Sequence, residues 1–289
     1  MNALPSCELS CERRPSKSAP SPRSALALFL LVGFFVGTLA QSGLAAGYQE
    51  AYGQYKQALA EKDLEKALLY ANKAHTLVQQ ELGPSHNKTG VLSYNLGAVN
   101  FQLTRYRDAL APLQQAVSIY SEIYGPESEK NLLPLGKLAE TTRALGALPW
   151  AERHWTRSIE ILEVNKPRTA PEITVILLEL LEVAQDLGKA KRMRTYAKRV
   201  LYNLNAAGVS DSMQMGGVHI SLAMAEIMLG KAIPANENLE RAIELYEMHL
   251  PPDDSKLLDL YVFAADAFEQ TGRPGLARKC RRKIKESES

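Results

Sequence analysis

Apolar positions along this chain fall on one helical face after another, and their spacing recurs. Leu145 and Gly146 are followed five residues later by Ala151, and steps of 42 residues from Gly146 land on Lys62, Thr104, Gly188, Gly230 and Gly272. The residue before is leucine in four consecutive units: Leu103, Leu145, Leu187 and Leu229. Eight residues before stand Leu96, Leu138, Leu180 and Leu222. Five after come Ala67, Ala109, Ala151, Met193, Ala235 and Ala277, and twelve after come Ala74, Ala116, Ser158, Val200, Ala242 and Ile284. Six units run in phase without insertion or deletion.

Each column has a physical meaning. Leucines seven residues apart lie two turns along one face and mark a first helix. The glycine or polar residue after them supplies the left-handed or turn conformation that ends it. Alanines seven apart then mark one face of a second helix, where small side chains let two helices approach closely. Such a helix pair is antiparallel and buries its apolar face only by stacking on its neighbours. The linkers repeat too, with Leu82-Gly83-Pro84 and Tyr124-Gly125-Pro126 42 residues apart and Pro252 on the same column. Lys166-Pro167 and Ala207-Gly208 break the chain at nearby positions. The pattern predicts an all-α solenoid of about six antiparallel helix pairs over 47–286, with units near 47–87, 88–129, 130–171, 172–213, 214–255 and 256–286 and a tail at 287–289. The columns weaken at Met193 and Val200, and at Gln54 where leucine is expected.

Composition adds the ends of the chain to this picture. The 289 residues are 46% apolar and carry a formal charge of +2, too hydrophobic for a disordered protein. Residues 1–42 hold Arg13, Arg14, Lys17 and Arg23 against Glu8 and Glu12, which leaves 30 basic and 30 acidic residues in the rest. A neutral body argues against nucleic-acid binding, which draws on neutralised phosphates. Residues 1–24 read as a disordered basic leader. Ala25 to Ala40 then runs without a charge, and the uncharged stretch extends to Ala46. It reads as a cleaved secretory signal, with small residues at Thr38-Leu39-Ala40 and Ala40-Gln41-Ser42, or as a retained signal anchor. Both readings export the body, periplasmic or secreted in one case and membrane-anchored outside the cytoplasm in the other, because the positive flank stays inside. Cys7 and Cys11 lie in the leader, so Cys280 has no partner for a disulfide within the body.

The small residue at the inter-helix turn, with alanine five and twelve positions on, resembles the tetratricopeptide repeat. The period of 42, Leu-Gly-Pro-Ser-His-Asn at 82–87 and Asn95-Leu96-Gly97 are similar to its kinesin-light-chain variety. That resemblance implies a right-handed superhelix whose first helices line a concave peptide-binding groove. It places Gln49, Tyr52, Lys56 and Leu59 in the groove from unit 1. Unit 2 adds Val91, Tyr94, Asn95, Ala98, Phe101 and Gln102, and unit 3 adds Leu133, Lys137, Glu140 and Arg143. Asn95 stands where family members hydrogen-bond an extended backbone, since its amide both donates and accepts. Lys137 and Arg143 are placed to meet a carboxylate, while Lys56 and Leu133 depart from the clamp for a chain-terminal carboxylate. Glu179, Glu182 and Asp186 form an acidic stripe that reads as a solvated face, and Ile220, Met224, Ile227 and Met228 read as core.

No catalytic arrangement is visible. Gly136-Lys137 and Gly188-Lys189 lack the rest of a phosphate loop. His75, His86, His154, His219 and His249 have no ligand spacing. Asp253-Asp254 reads as a helix N-cap, and His86 as a loop residue. The basic runs Lys189–Arg199 and Arg278–Lys285 read as solvated faces, the second capping the solenoid. Asn87-Lys88-Thr89 fits a glycosylation acceptor in an exposed loop. The expectation is a non-enzymatic scaffold with no cofactor and no metal, whose partners are peptide or loop segments of other proteins, with the membrane as a further contact if 25–46 is retained. The alternative is a membrane-tethered structural subunit that packs through its convex or end surfaces.

Overall fold

The computed structural model describes residues 47–287. The leader 1–24, the apolar segment 25–46 and the last two residues lie outside the described residues. Twelve α-helices follow one another among the described residues, with no strand. They are α1 (Gly47–Ala60), α2 (Leu64–Leu82), α3 (Asn87–Gln102), α4 (Tyr106–Tyr124), α5 (Leu132–Ala144), α6 (Leu148–Asn165), α7 (Pro171–Asp186), α8 (Ala190–Ala206), α9 (Met213–Met228), α10 (Ala232–His249), α11 (Ser255–Gln270) and α12 (Pro274–Ser287). A 3₁₀ turn at Glu129–Asn131 precedes α5. The last helix runs one residue into the expected tail.

The six turns between paired helices are built alike. Lys62 and Thr104 adopt φ of 59° and 58°, and Gly146, Gly188, Gly230 and Gly272 adopt 62° to 77°. All six are left-handed, which only glycine adopts without steric cost. One residue further on, an N–H reaches back to the carbonyl five residues earlier. The bonds are Asp63 to Ala58, Arg105 to Asn100, Ala147 to Thr142, Lys189 to Ala184, Lys231 to Glu226 and Arg273 to Phe268, all between 2.6 and 3.0 Å. This is the Schellman closure, which satisfies carbonyls the helix end leaves open.

Pairs are antiparallel and close. An added Cβ on Gly97 would come within 2.5 Å of Leu113 Cγ, and one on Gly90 within 2.8 Å of the Tyr120 ring. Moving back seven residues in α3 thus moves forward seven in α4. The alanines that begin and continue the second helices are buried, as are Met193, Ser158 and Val200 on the same columns. Leu96, Leu138, Leu180 and Leu222 are buried too, each contributing roughly 2 kcal/mol of transfer free energy. The core is a chain of clusters, and the largest joins Ala139 in α5 through Leu180 in α7 to Leu245 in α10. No repeat closes its own core.

Side chains cap helices of both sets, Asp63 Oδ1 accepting from the Lys66 amide at 3.0 Å on α2. His86 Nδ1 accepts from the Lys88 amide at 3.1 Å, Ser212 from Met215 and Asp254 from Lys256, capping α3, α9 and α11. Asp254 is therefore the N-cap expected, and His86 is the exposed loop residue expected, with its imidazole also serving as the cap of α3. The acceptor motif at 87–89 is not in a loop. Asn87 opens α3, and the buried Thr89 hydroxyl donates to the Gly83 carbonyl at 2.7 Å.

Candidate functional site

Six positions in each first helix, at the spacing of one helical stripe, remain open. They begin at Gln49, Val91, Leu133, Val175, Gly217 and Asp259 and end at Ala60, Gln102, Ala144, Asp186, Met228 and Gln270. Only Ser221 among them is buried. The opposite faces of the same helices carry the core leucines, so the stripe is what stacking leaves over.

Contacts between neighbouring repeats join the stripes into one surface. Lys137 Nζ lies 4.5 Å from the centre of the Phe101 ring, one repeat back. Arg143 donates to Glu179 at 2.6 Å and to Glu182 at 2.5 Å, one repeat on. Gln185 approaches Met224 Sδ at 3.9 Å. Two hollows open along this surface. One of about 340 Å³ lies by Tyr52 and Lys56, and one of about 610 Å³ lies by Leu133, Glu140, Val175 and Glu179.

All eight expected groove residues lie on this stripe. Tyr52 stacks on Tyr55 with ring centres 5.8 Å apart, and Lys56 caps the Tyr52 ring at 5.0 Å. Burial, together with Tyr52 and Tyr94, pushes the Tyr55 phenol up to about 12. Tyr94 is half-buried, and burial, with the Glu140 charge adding to it, raises its phenol above the ordinary value. Phe101 is half-buried against Tyr106 at 5.3 Å, and Gln102 is exposed. Asn95 is half-buried, and its amide makes no hydrogen bond among the described residues. Lys137 already holds Glu140 at 2.5 Å, and Arg143 holds two carboxylates, so neither cation stands free to meet a ligand.

Other parts of the sequence reading are corrected here. Arg143 ties down Glu179 and Glu182, so the acidic stripe is not simply solvated. Burial lifts the Glu179 carboxyl above the usual range, with Arg143 pulling the other way. Met224 and Ile227 pack half-buried against the core clusters, Ile220 is half-buried and Met228 is 54% exposed, so the stripe assigned to core lies at the edge of the core and opens to the surface at Met228. The reason is register: Leu222, Ala223 and Ala225 already fill the core-facing positions of α9. The basic run of α8 is not a solvated face either. Lys189 and Arg192 pair with the buried Glu152, Arg194 with the buried Glu226 at 2.7 Å, and Arg199 with Glu163. In α12, Arg281 pairs with Glu269 at 2.5 Å and Lys283 approaches Glu247 at 3.5 Å. These acidic partners lie 12 to 40 residues away, a separation that hydrophobic periodicity does not read.

Among the described residues no group of three or more His, Cys, Asp or Glu side chains is placed to hold a metal ion. No helix there is long and apolar enough to cross a membrane.

Phased helix pairs, Schellman turns and an open first-helix stripe define a tetratricopeptide-type helical solenoid, and the comparisons agree with that class. Residues 57–122 match the family described as tetratricopeptide repeat. Among solved structures, the nearly identical TPR-like repeats of a kinesin light chain from Podosopora anserina superpose with a TM-score of 0.56 at 18% identity, over 71% of this chain and 96% of that one. BtubC (BKLC) from P. vanneervenii gives 0.56 at 14% identity, over 85% and 91%. A tetratricopeptide repeat protein from Parabacteroides merdae gives 0.53 at 19% identity, over 83% and 79%. No curated protein matches the sequence.

Proposed function

We propose that this chain is a non-catalytic scaffold that binds extended peptide segments of partner proteins along a concave groove formed by its first helices, within an exported or membrane-associated complex. The observation that carries the reading is Asn95. Its amide is half-buried on the continuous open stripe with its donors and acceptor unspent, beside the Tyr94 and Phe101 rings. A side-chain amide in that state matches the alternating N–H and C=O of an extended backbone. The remaining affinity comes from many small contacts spread over several repeats, as suits a groove with no deep pocket. Export rests on the leader and the uncharged segment 25–46.

The test has two arms. A photo-crosslinking side chain at Asn95 or Met224 captures a partner in intact cells, and Asn95→Ala or Tyr94→Ala abolishes that capture with helicity unchanged. Capture that survives both substitutions defeats the groove reading. Sequencing the N-terminus of the mature protein settles the leader, with a start after Ala40 or Ser42 for a cleaved signal and an intact 25–46 for an anchor.

A further inference from the structure

A further hollow, of about 1060 Å³, lies against the second helices α4, α6 and α8, with Val117 and, from α5, the buried Leu135 and Leu138 in its lining. Trp150 stands at it, 54% exposed. An indole left this open on the surface of a folded domain is unusual and marks contact surfaces.

The charges around the hollow do not balance. Glu152 is buried and takes Lys189 at 3.2 Å, Arg192, and the Tyr196 hydroxyl at 3.3 Å. One carboxylate thus holds two cations. Arg157 is matched by Glu160 at 2.9 Å. Arg153 is exposed, lies 5.4 Å from the centre of the Trp150 ring, and has no ion pair or hydrogen bond among the described residues. Four cations therefore face two carboxylates, and the unmatched guanidinium sits on the open indole. His154 is biased toward its neutral form. It stacks near Trp150 with ring centres 6.4 Å apart, and burial, aided by Arg153, lowers its pKa below the ordinary imidazole value.

We propose that this second-helix hollow docks a partner segment in which carboxylate side chains alternate with aliphatic or aromatic ones. The carboxylates meet Arg153 and the excess charge at Lys189 and Arg192, and the apolar side chains pack on Trp150 and Val117. Guanidinium–carboxylate pairing sets the sign of the partner, and the indole supplies rigid contact area. The site is separate from the first-helix groove and does not rest on it.

The sequence provides an internal reference, because its two tryptophans are Trp150 and the buried Trp155. Full-length protein carrying ¹⁵N-labelled tryptophan is titrated with a synthetic peptide of alternating Glu and Leu residues, and with a Lys-for-Glu counterpart. The Glu peptide is expected to move the Trp150 indole signal more than that of Trp155, with affinity falling as salt rises. Arg153→Glu and Trp150→Ala are each expected to weaken binding at least tenfold. Both residues are exposed, and their ring contacts are with each other and with His154, so both variants are expected to fold, which circular dichroism checks. Asn95→Ala should leave this binding intact even where it abolishes groove capture, so the two sites fail separately. Equal binding of the Lys peptide overturns the proposal, as does a still Trp150 signal, or binding that survives both substitutions. An equal shift from phosphatidylserine vesicles alone, or from dilution-sensitive self-association, overturns it as well.

Discussion

The first three repeats and the last three share one backbone plan and differ in what they display. On the open stripe of α1, α3 and α5 stand Tyr52, Tyr94 and Phe101 with Lys56, Lys137 and Arg143, opposed by one carboxylate, Glu140. The stripe of α7, α9 and α11 carries Glu179, Glu182, Asp186, Asp259, Asp266 and Glu269 with no cation, around Ile220, Met224 and Ile227. Arg143 sits at the boundary and reaches from one half into the other. A solenoid can change its surface in this way because each repeat must match only its neighbours.

Ion pairs also differ in burial along the chain. Arg105–Glu65 and Lys66–Glu61 are exposed pairs. Glu226, by contrast, is 1% exposed and depends on Arg194. The largest effect should come from this contrast. Arg194→Ala leaves a buried carboxylate unpaired and is expected to cost about 3 kcal/mol, whereas Arg105→Ala should cost less than about 1 kcal/mol. Thermal unfolding of the two variants side by side checks this, and equal shifts would remove the distinction.

Gln54 gives the next largest effect. It occupies the column filled by leucine in repeats 2 to 5, and its Oε1 is buried without a hydrogen bond. Gln54→Leu should stabilise the first repeat by about 1 to 2 kcal/mol, read as a raised midpoint in denaturant. No gain would mean that α1 is held by something other than that column.

Turn residues give a third, smaller contrast. Thr104 is a β-branched residue at φ 58°, and Gly146 meets the same geometry at φ 73°. Thr104→Gly is expected to stabilise by up to about 1 kcal/mol, and Gly146→Ala to destabilise by a similar amount. Hydrogen exchange at the two turns would show the changes locally.

The smallest effect is on pH dependence. Burial lowers the pKa of His154 and His219 below the ordinary value of 6.5, with Arg153 adding for His154, while the hydrogen bond His219 Nδ1 donates to Asn238 Oδ1 works against burial. Both rings therefore hold a proton less tightly in the folded protein than in the unfolded chain. Below about pH 6.5 the unfolded chain takes up protons that the folded chain refuses, so stability falls as pH falls and is flat above. Replacing both by glutamine should flatten denaturation midpoints measured between pH 7 and 5.

Periodicity alone was enough to locate the architecture. Left-handed turns at Lys62, Thr104 and four glycines, buried alanines behind them and buried leucines before them follow from local rules read 42 residues apart. The open stripe was legible in part. Family resemblance pointed to Tyr94 and Asn95, but spacing could not separate Ile220 and Met224 from core, because a helix with apolar residues most of the way round gives no single face. Trp150 gave no signal either: it lies on the polar side of α6, where periodicity is silent. The pairing of Arg143 with α7, of Arg194 with Glu226, and of two cations with Glu152 was decided only by the stacking of repeats. Hydrophobic spacing is a property of one helix and survives in a linear string. Charge partnership depends on the distance between helices, and that distance exists only once they are packed.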